Sequence, residues 1–252
     1  MHVPRIYHPE NLASNTTVSL TSQASKHLTS VLRLKIGDTV ILFNGQGGQY
    51  TGRLSAINKG RGVLQALVEI QDYENVEFES PLNIHLGQAI LRADKMDYVI
   101  QKAVELGVSQ ITLLMTERTE VKLSAERLQS KILHWQQIII SACEQCGRNH
   151  IPKLHTAMNF NEWIKESKNQ LVPEPELKLL LTPQAENKLS DLQKSCKNIL
   201  ILVGAEGGFS DQEIRMVRQA DFLDLRLGPR ILRTETAALA MIAAIQALWG
   251  DY

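Results

Sequence analysis

The chain is poor in cysteine, carries no net charge and has no long apolar run. Its three cysteines cannot build a disulfide framework, and an odd count fits a reducing compartment. The longest uncharged apolar stretch, Thr236–Trp249, has 14 residues, against the ~20 that a membrane span needs. Met1–Val18 holds prolines, histidines and polar residues where a secretory leader would be apolar, so none is expected. H-E-x-x-H, G-x-G-x-x-G and the Lys-Ser/Thr of a P-loop are missing too. Their absence argues against zinc-protease, dinucleotide and P-loop nucleotide chemistry. Cys143, Cys146 and His150 are spaced as if for a metal. Cysteines at i, i+3 on a helix are usually packing residues, so no metal is expected. The expectation is a cytoplasmic protein without membrane contact.

What is present is globular: 44% of residues are hydrophobic and 21% charged, which excludes wholesale disorder. A length of 252 residues is comfortable for two domains. The 27 basic and 27 acidic side chains are unevenly spread. Met1–Gly62 has seven Lys/Arg and two acids, Val63–Glu79 has five acids and no base, and the remainder has twenty of each. A small module with a charge of +5 suits an anionic partner such as nucleic acid.

The basic module reads as short strands. Asp38–Phe43 is β-rich, Asn44-Gly45 is a hairpin signal, and Gln49–Ile57 and Gly62–Gln71 supply return strands. Ser25–Leu34 reads as one short helix with apolar Leu28, Val31 and Leu32. Such spacing suggests a small barrel over residues 1–73, with Gly45, Gly47 and Gly48 as turn residues. Residues 74–252 alternate strand and helix. Asp94 is read as the cap of a helix carrying Met96, Val99, Ile100, Ala103 and Val104, ended by Gly107. A long helix covers Ser124–Cys146, with Leu128, Ile132, Trp135, Ile139 and Ala142 in one stripe. Leu82–Ala89, Ile111–Met115, Leu177–Leu181, Ile199–Val203 and Leu223–Leu227 are strand runs. Ser210–Glu213 is a capping box, and Thr234–Trp249 a final helix apolar on nearly every side. The pattern predicts an open, mostly parallel sheet flanked by helices. A helix without a polar face needs cover from Ser124–Cys146 or from a second subunit.

Ligands of open α/β sheets bind beyond the carboxyl ends of the strands. Three such ends stand out: Leu181-Thr182-Pro183, the glycine-rich 204–209, and 228–236 with its two arginines, Arg230 and Arg233. Each alone reads as a tight turn; together, on one sheet, they read as a site.

Four segments carry a family resemblance. Asp94–Val108 (DKMDYVIQKAVELGV), Ser141–Arg148 (SACEQCGR), Gly204–Ser210 (GAEGGFS) and Leu227–Ala237 (LGPRILRTETA) closely resemble the ribosomal RNA small subunit methyltransferase E family, of the SPOUT class. Arg5 and the segment His27–Arg33 resemble its RNA-binding module, and the likeness spans essentially the whole chain. Where the family usually has Gly-Pro-Glu-Gly-Gly, Ala205 replaces the proline, adding one N–H and some loop freedom.

The resemblance implies an N-terminal PUA-like β-barrel and a C-terminal SPOUT α/β domain with a deep trefoil knot. It implies a homodimer that uses S-adenosylmethionine to make N3-methyluridine in 16S ribosomal RNA of the small subunit. The implied cofactor-binding residues are Leu181, Thr182, Pro183, Gly204, Glu206, Gly207, Gly208, Leu227, Gly228, Ile231, Leu232, Thr234 and Thr236. Arg5, Lys26, His27, Arg33, Lys35 and Arg53 would face RNA, with Lys59 and Arg61 in the same basic patch.

Uracil N3–H is a weak imide acid between two carbonyls. Methylating it calls for deprotonation, and for a cation to hold charge on O2 and O4. Arg233 is the expected cation, Glu206 the carboxylate that takes the proton or orients the base, and Arg148 a third catalytic candidate reaching across a dimer. N3 is a pairing edge, so the target must be unpaired or flipped. Two rival readings are a non-catalytic RNA-binding protein and another SPOUT enzyme acting on a ribose 2′-OH or a tRNA base.

Overall fold

The computed structural model describes residues 3–60, 63–120, 124–166, 174–192 and 196–252. The chain forms two compact units: Met1–Glu79 with Cys143–Ile151, and Ser80–Ala142 with Pro152–Tyr252.

The first unit is built on a five-stranded sheet in the order β1 (Arg5–Tyr7), β3 (Thr39–Phe43), β4 (Gln49–Gly60), β5 (Val63–Glu74), β2 (Thr17–Ser19). All neighbours are antiparallel except β1 and β3. Positive φ at Gly45, Gly47 and Gly48 turns β3 into β4. Inside lie Ile6, Leu28, Val40, Leu42, Leu54, Val68 and Ile70.

The helix here differs from the expectation. Helix α1 spans Ser22–Lys26 and starts on Thr21, whose hydroxyl accepts from Ala24 N at 3.2 Å. It then widens into a π-turn over His27–Val31. The extra residue in that turn breaks the 3.6-residue phase. Leu28 is fully buried, while Val31 is 66% and Leu32 41% exposed.

The second unit has a six-stranded parallel sheet in the order β11 (Leu223–Leu225), β9 (Leu177–Leu181), β10 (Asn198–Val203), β6 (Asn83–Ala89), β7 (Gln110–Met115), β8 (Lys153–Asn159). The central strands β6 and β10 are buried along almost their whole length; β10 accordingly reads as an unbroken apolar run from Ile199, while β6 buries the polar His85 and Gln88 among its apolar residues. Leu180, Leu200 and Leu202 pack with Phe160, Trp163, Phe209 and Phe222. Trimming a leucine there to alanine costs about 2–5 kcal/mol.

Helix α2 (Ala93–Glu105) begins one residue before the expected cap: Arg92 is the N-cap and makes no side-chain capping bond. Asp94 instead sits in the first turn, where a carboxylate favours the helix dipole. Gly107, at φ +86°, lets the chain turn away. Helix α3 (Ala125–Cys146) is tied to α2 by Asp97, which accepts from Trp135 Nε1 at 2.9 Å. Helix α4 covers Phe160–Glu166. The capping box opens α5 (Asp211–Arg218) as expected, Ser210 and Glu213 each accepting from the other's backbone N–H.

Helix α6 (Thr234–Trp249) packs on α2 rather than on α3. Gln246 Nε2 donates to the Leu106 carbonyl at 2.8 Å. Met241, Ile242 and Ile245 are fully buried, leaving Ala240, Ala247 and Leu248 outside. Among the described residues no helix is long and apolar enough to cross a membrane.

Candidate active site

Strands β11, β9 and β10 are adjacent and parallel, so their carboxyl ends release three loops along one edge. Those loops are the three segments singled out in the sequence. They converge on one cleft of about 540 Å³. Leu181, Thr182 and Pro183 form one wall, Gly204, Glu206, Gly207 and Gly208 a second, and Leu227, Gly228, Ile231, Leu232 and Thr234 a third. Thr236 is exposed on α6 and does not line the cleft. Neither does Arg233, the exposed N-cap of α6, although its neighbours on both sides do.

The second wall is shaped by backbone. Gly208 has φ +70°, and its N–H donates to the Ala205 carbonyl at 2.8 Å, closing a tight turn. A Cβ on Gly204 would lie 3.1 Å from both Gly208 and Phe209, so a side chain there would push the turn apart. Ala205 is buried, and its carbonyl also accepts from Thr234 Oγ1 at 3.1 Å.

Sequence reasoning missed two cations that brace this wall, because both come from other strand ends. Arg118, just beyond β7, lines the cleft and donates to the Gly207 carbonyl at 2.8 Å. Lys95, on the first turn of α2, lies 3.2 Å from Glu206 Oε1 and 3.6 Å from Glu235 Oε2. Burial pushes the Glu206 carboxyl up. The hydrogen bond from its own backbone N–H, the Lys95 ammonium and the Arg92 guanidinium outweigh that and hold it below the ordinary carboxylate range. Lys95 falls inside the resemblance segment Asp94–Val108, which gives it no role of its own, and Arg118 has only its position a few residues past a strand.

Two sequence-predicted functional arginines lie in the interior. Arg148 belongs to the first unit and is buried, its guanidinium bonded to Glu79 at 2.6 and 2.8 Å. The same Glu79 accepts from the backbone N–H of Asn149 and His150, so the pair fixes this turn. Arg5 is likewise interior. It donates to Gln49, to Asn149 Oδ1 at 2.7 Å and to the Arg148 carbonyl at 3.3 Å, and lies over the Phe43 ring at 5.0 Å. A guanidinium so committed is not an RNA-facing charge.

Lys26, His27, Arg33, Lys35, Arg53 and Lys59 are exposed. Arg61 lies outside the described residues. The Cys143 thiol donates to the His150 carbonyl at 3.6 Å, and burial pushes it up to about 12.

Two domain families match separate parts of the chain. Residues 20–67 match the RNA methyltransferase PUA domain family, and residues 78–246 match the RNA methyltransferase domain family. The chain is 36% identical to the ribosomal RNA small subunit methyltransferase E of Buchnera aphidicola subsp. Acyrthosiphon pisum, over 99% of this chain and 95% of that one. The ribosomal RNA small subunit methyltransferase E of Neisseria gonorrhoeae, solved bound to S-adenosyl methionine, superposes with a TM-score of 0.88 at 39% identity, over 100% of both chains. A Legionella pneumophila protein solved with the bound cofactor SAM gives 0.93, also at 39% identity and 100% of both chains. The chain belongs to the ribosomal RNA small subunit methyltransferase E family.

Proposed function

We propose that this chain is a cytoplasmic, S-adenosylmethionine-dependent methyltransferase acting on N3 of one uridine in 16S ribosomal RNA. The observation that carries the reading is the convergence of three loops from adjacent parallel strands on one cleft. The cleft suits the cofactor. Loop amides and carbonyls at 204–208 and 227–232 offer hydrogen bonds to a nucleoside. Leu181, Val203, Ile214 and Leu232 offer apolar surface to an adenine ring, and Glu206 and Asp211 supply anions for a cationic ligand.

When bound, S-adenosylmethionine supplies an electrophilic methyl on a sulfonium sulfur. The protein's part is to position the base, remove the imide proton and hold the charge spread over O2 and O4. Arg233, exposed beside the third wall, is the cation for that charge. Glu206 is the carboxylate that faces the reacting end. The exposed Lys26, His27, Arg33, Lys35 and Arg53 hold phosphates, with the strands of the first unit closed as a PUA-like barrel. The second unit carries its cleft loops in a trefoil knot, and two copies associate through α6.

Incubation with labelled S-adenosylmethionine and small-subunit ribosomal RNA, followed by nucleoside mass mapping, should yield 3-methyluridine. A 2′-O-methyl nucleoside or a methylated guanine would place the chain elsewhere in the SPOUT class. Cofactor binding without any transfer would leave only an RNA-binding role.

A further inference from the structure

We propose that Lys95 is a positioning residue: by bridging Glu206 and Glu235 it ties the β10–α5 loop to the first turn of α6 and keeps Glu206 a fixed anion in the cleft wall. This rests on the reading of the cleft as an S-adenosylmethionine site.

The geometry is specific. Glu206 belongs to the second wall, and Glu235 follows directly on Thr234 of the third. The ammonium lies within 3.6 Å of a carboxylate from each. The three side chains are only 30%, 27% and 15% exposed, for Lys95, Glu206 and Glu235. Glu235 Oε2 is buried and, among the described residues, has no hydrogen-bond partner. Its compensation is the Lys95 charge. Without that charge, two carboxylates would face each other in a half-dry pocket, and one would take up a proton.

The other charged groups around Glu206 are Arg92, paired to Glu120 at 2.6 Å, and Arg118, committed to the Gly207 carbonyl. Neither touches both loops. An ionised carboxylate held by an ammonium is also a poor proton acceptor. Glu206 is thus an orienting anion, matched to a cationic cofactor, and the imide proton leaves by another route.

The test is calorimetric titration of the full chain with S-adenosylmethionine between pH 5 and 8. Lys95→Met should weaken binding roughly 10-fold at pH 7. It should also move the acid limb of affinity upward by roughly one pH unit, because Glu206 then protonates earlier. Lys95→Arg keeps the charge and should restore the limb. Glu235→Gln should weaken binding without raising the limb, since Glu206 keeps its cation. If Lys95→Met does not fold, the last two variants decide alone. A uniform loss at every pH would mean simple packing, and unchanged binding in Glu235→Gln would break the bridge; either overturns the proposal. No heat from the unaltered protein would instead sink the cofactor reading itself.

Discussion

Thr234 Oγ1 donates to the carbonyl oxygen of Ala205 at 3.1 Å, joining two cleft loops that lie 29 residues apart in the chain. Thr234→Val keeps the shape and removes the donor. A neutral hydrogen bond is worth about 0.5–1.5 kcal/mol net. S-adenosylmethionine affinity should therefore fall by roughly 2- to 12-fold, and Thr234→Ser should recover it. Full affinity in Thr234→Val would show that the loops hold their places without this bond.

Arg118→Ala should reduce cofactor affinity while leaving the melting temperature within about 2 °C, because the guanidinium is exposed and braces only the Gly207 carbonyl. A large fall in melting temperature would assign Arg118 to stability instead.

The basic residues of the first unit should divide into two behaviours. Lys26→Ala with Lys35→Ala removes exposed charges, and should lower the salt slope of RNA binding by about 1 to 2 while sparing cofactor affinity. Arg5→Ala should instead cost about 1.5–3 kcal/mol of stability, because Asn149 and Gln49 lose a charged donor. Urea unfolding beside filter binding at several salt concentrations separates the two.

His85 makes stability depend on pH. Burial, helped by the neighbouring His155 and Lys153, pushes its imidazole down to about 3 from the ordinary 6.5. The folded state holds the ring neutral against Thr112 Oγ1 at 2.8 Å. The unfolded state takes up a proton below 6.5, so stability is full above that pH and drains away as pH falls toward 3. At pH 5 the loss should be about 2 kcal/mol. His85→Gln should remove that part of the slope between pH 7.5 and 5, and an unchanged slope would assign it to other groups.

Sequence pattern carried the second unit further than the first, for physical reasons. β7 and β10 are buried along most of their length, and burial on both faces writes itself as an apolar run. β1 and β2 have three residues each, too few for any period. β8 is an edge strand, half-buried along its length, and left no clear signal. The glycine loops were legible because their backbone needs residues without side chains. Arg118 and Lys95 were not, since only the sheet order brings them beside Glu206 and Gly207. The burial of Arg5 and Arg148 was not legible either, because a buried guanidinium and an exposed one look alike in a sequence.

Helix α6 sharpens the test of the proposed homodimer. Ile242 and Ile245 are fully buried within the chain, so a charge there should unfold the unit whether or not two copies associate. Leu248 is 54% exposed on the same helix. Leu248→Glu should leave the fold intact and lower the sedimenting mass from twice 28.3 kDa to that of one chain. A variant that still sediments as a dimer, or an unaltered protein that is already a monomer, would discard the α6 interface.

The three loops of the cleft are the free ends of three adjacent strands on one side of the second unit's sheet. A molecule seated among them is therefore also a clamp across β11, β9 and β10, and dissociation must precede any parting of those strands. At a hundred times its dissociation constant such a ligand adds about 2.7 kcal/mol to the unit that binds it. Heated with saturating S-adenosylmethionine, the chain should melt in two separated steps, the methyltransferase half surviving after the RNA-binding half has gone.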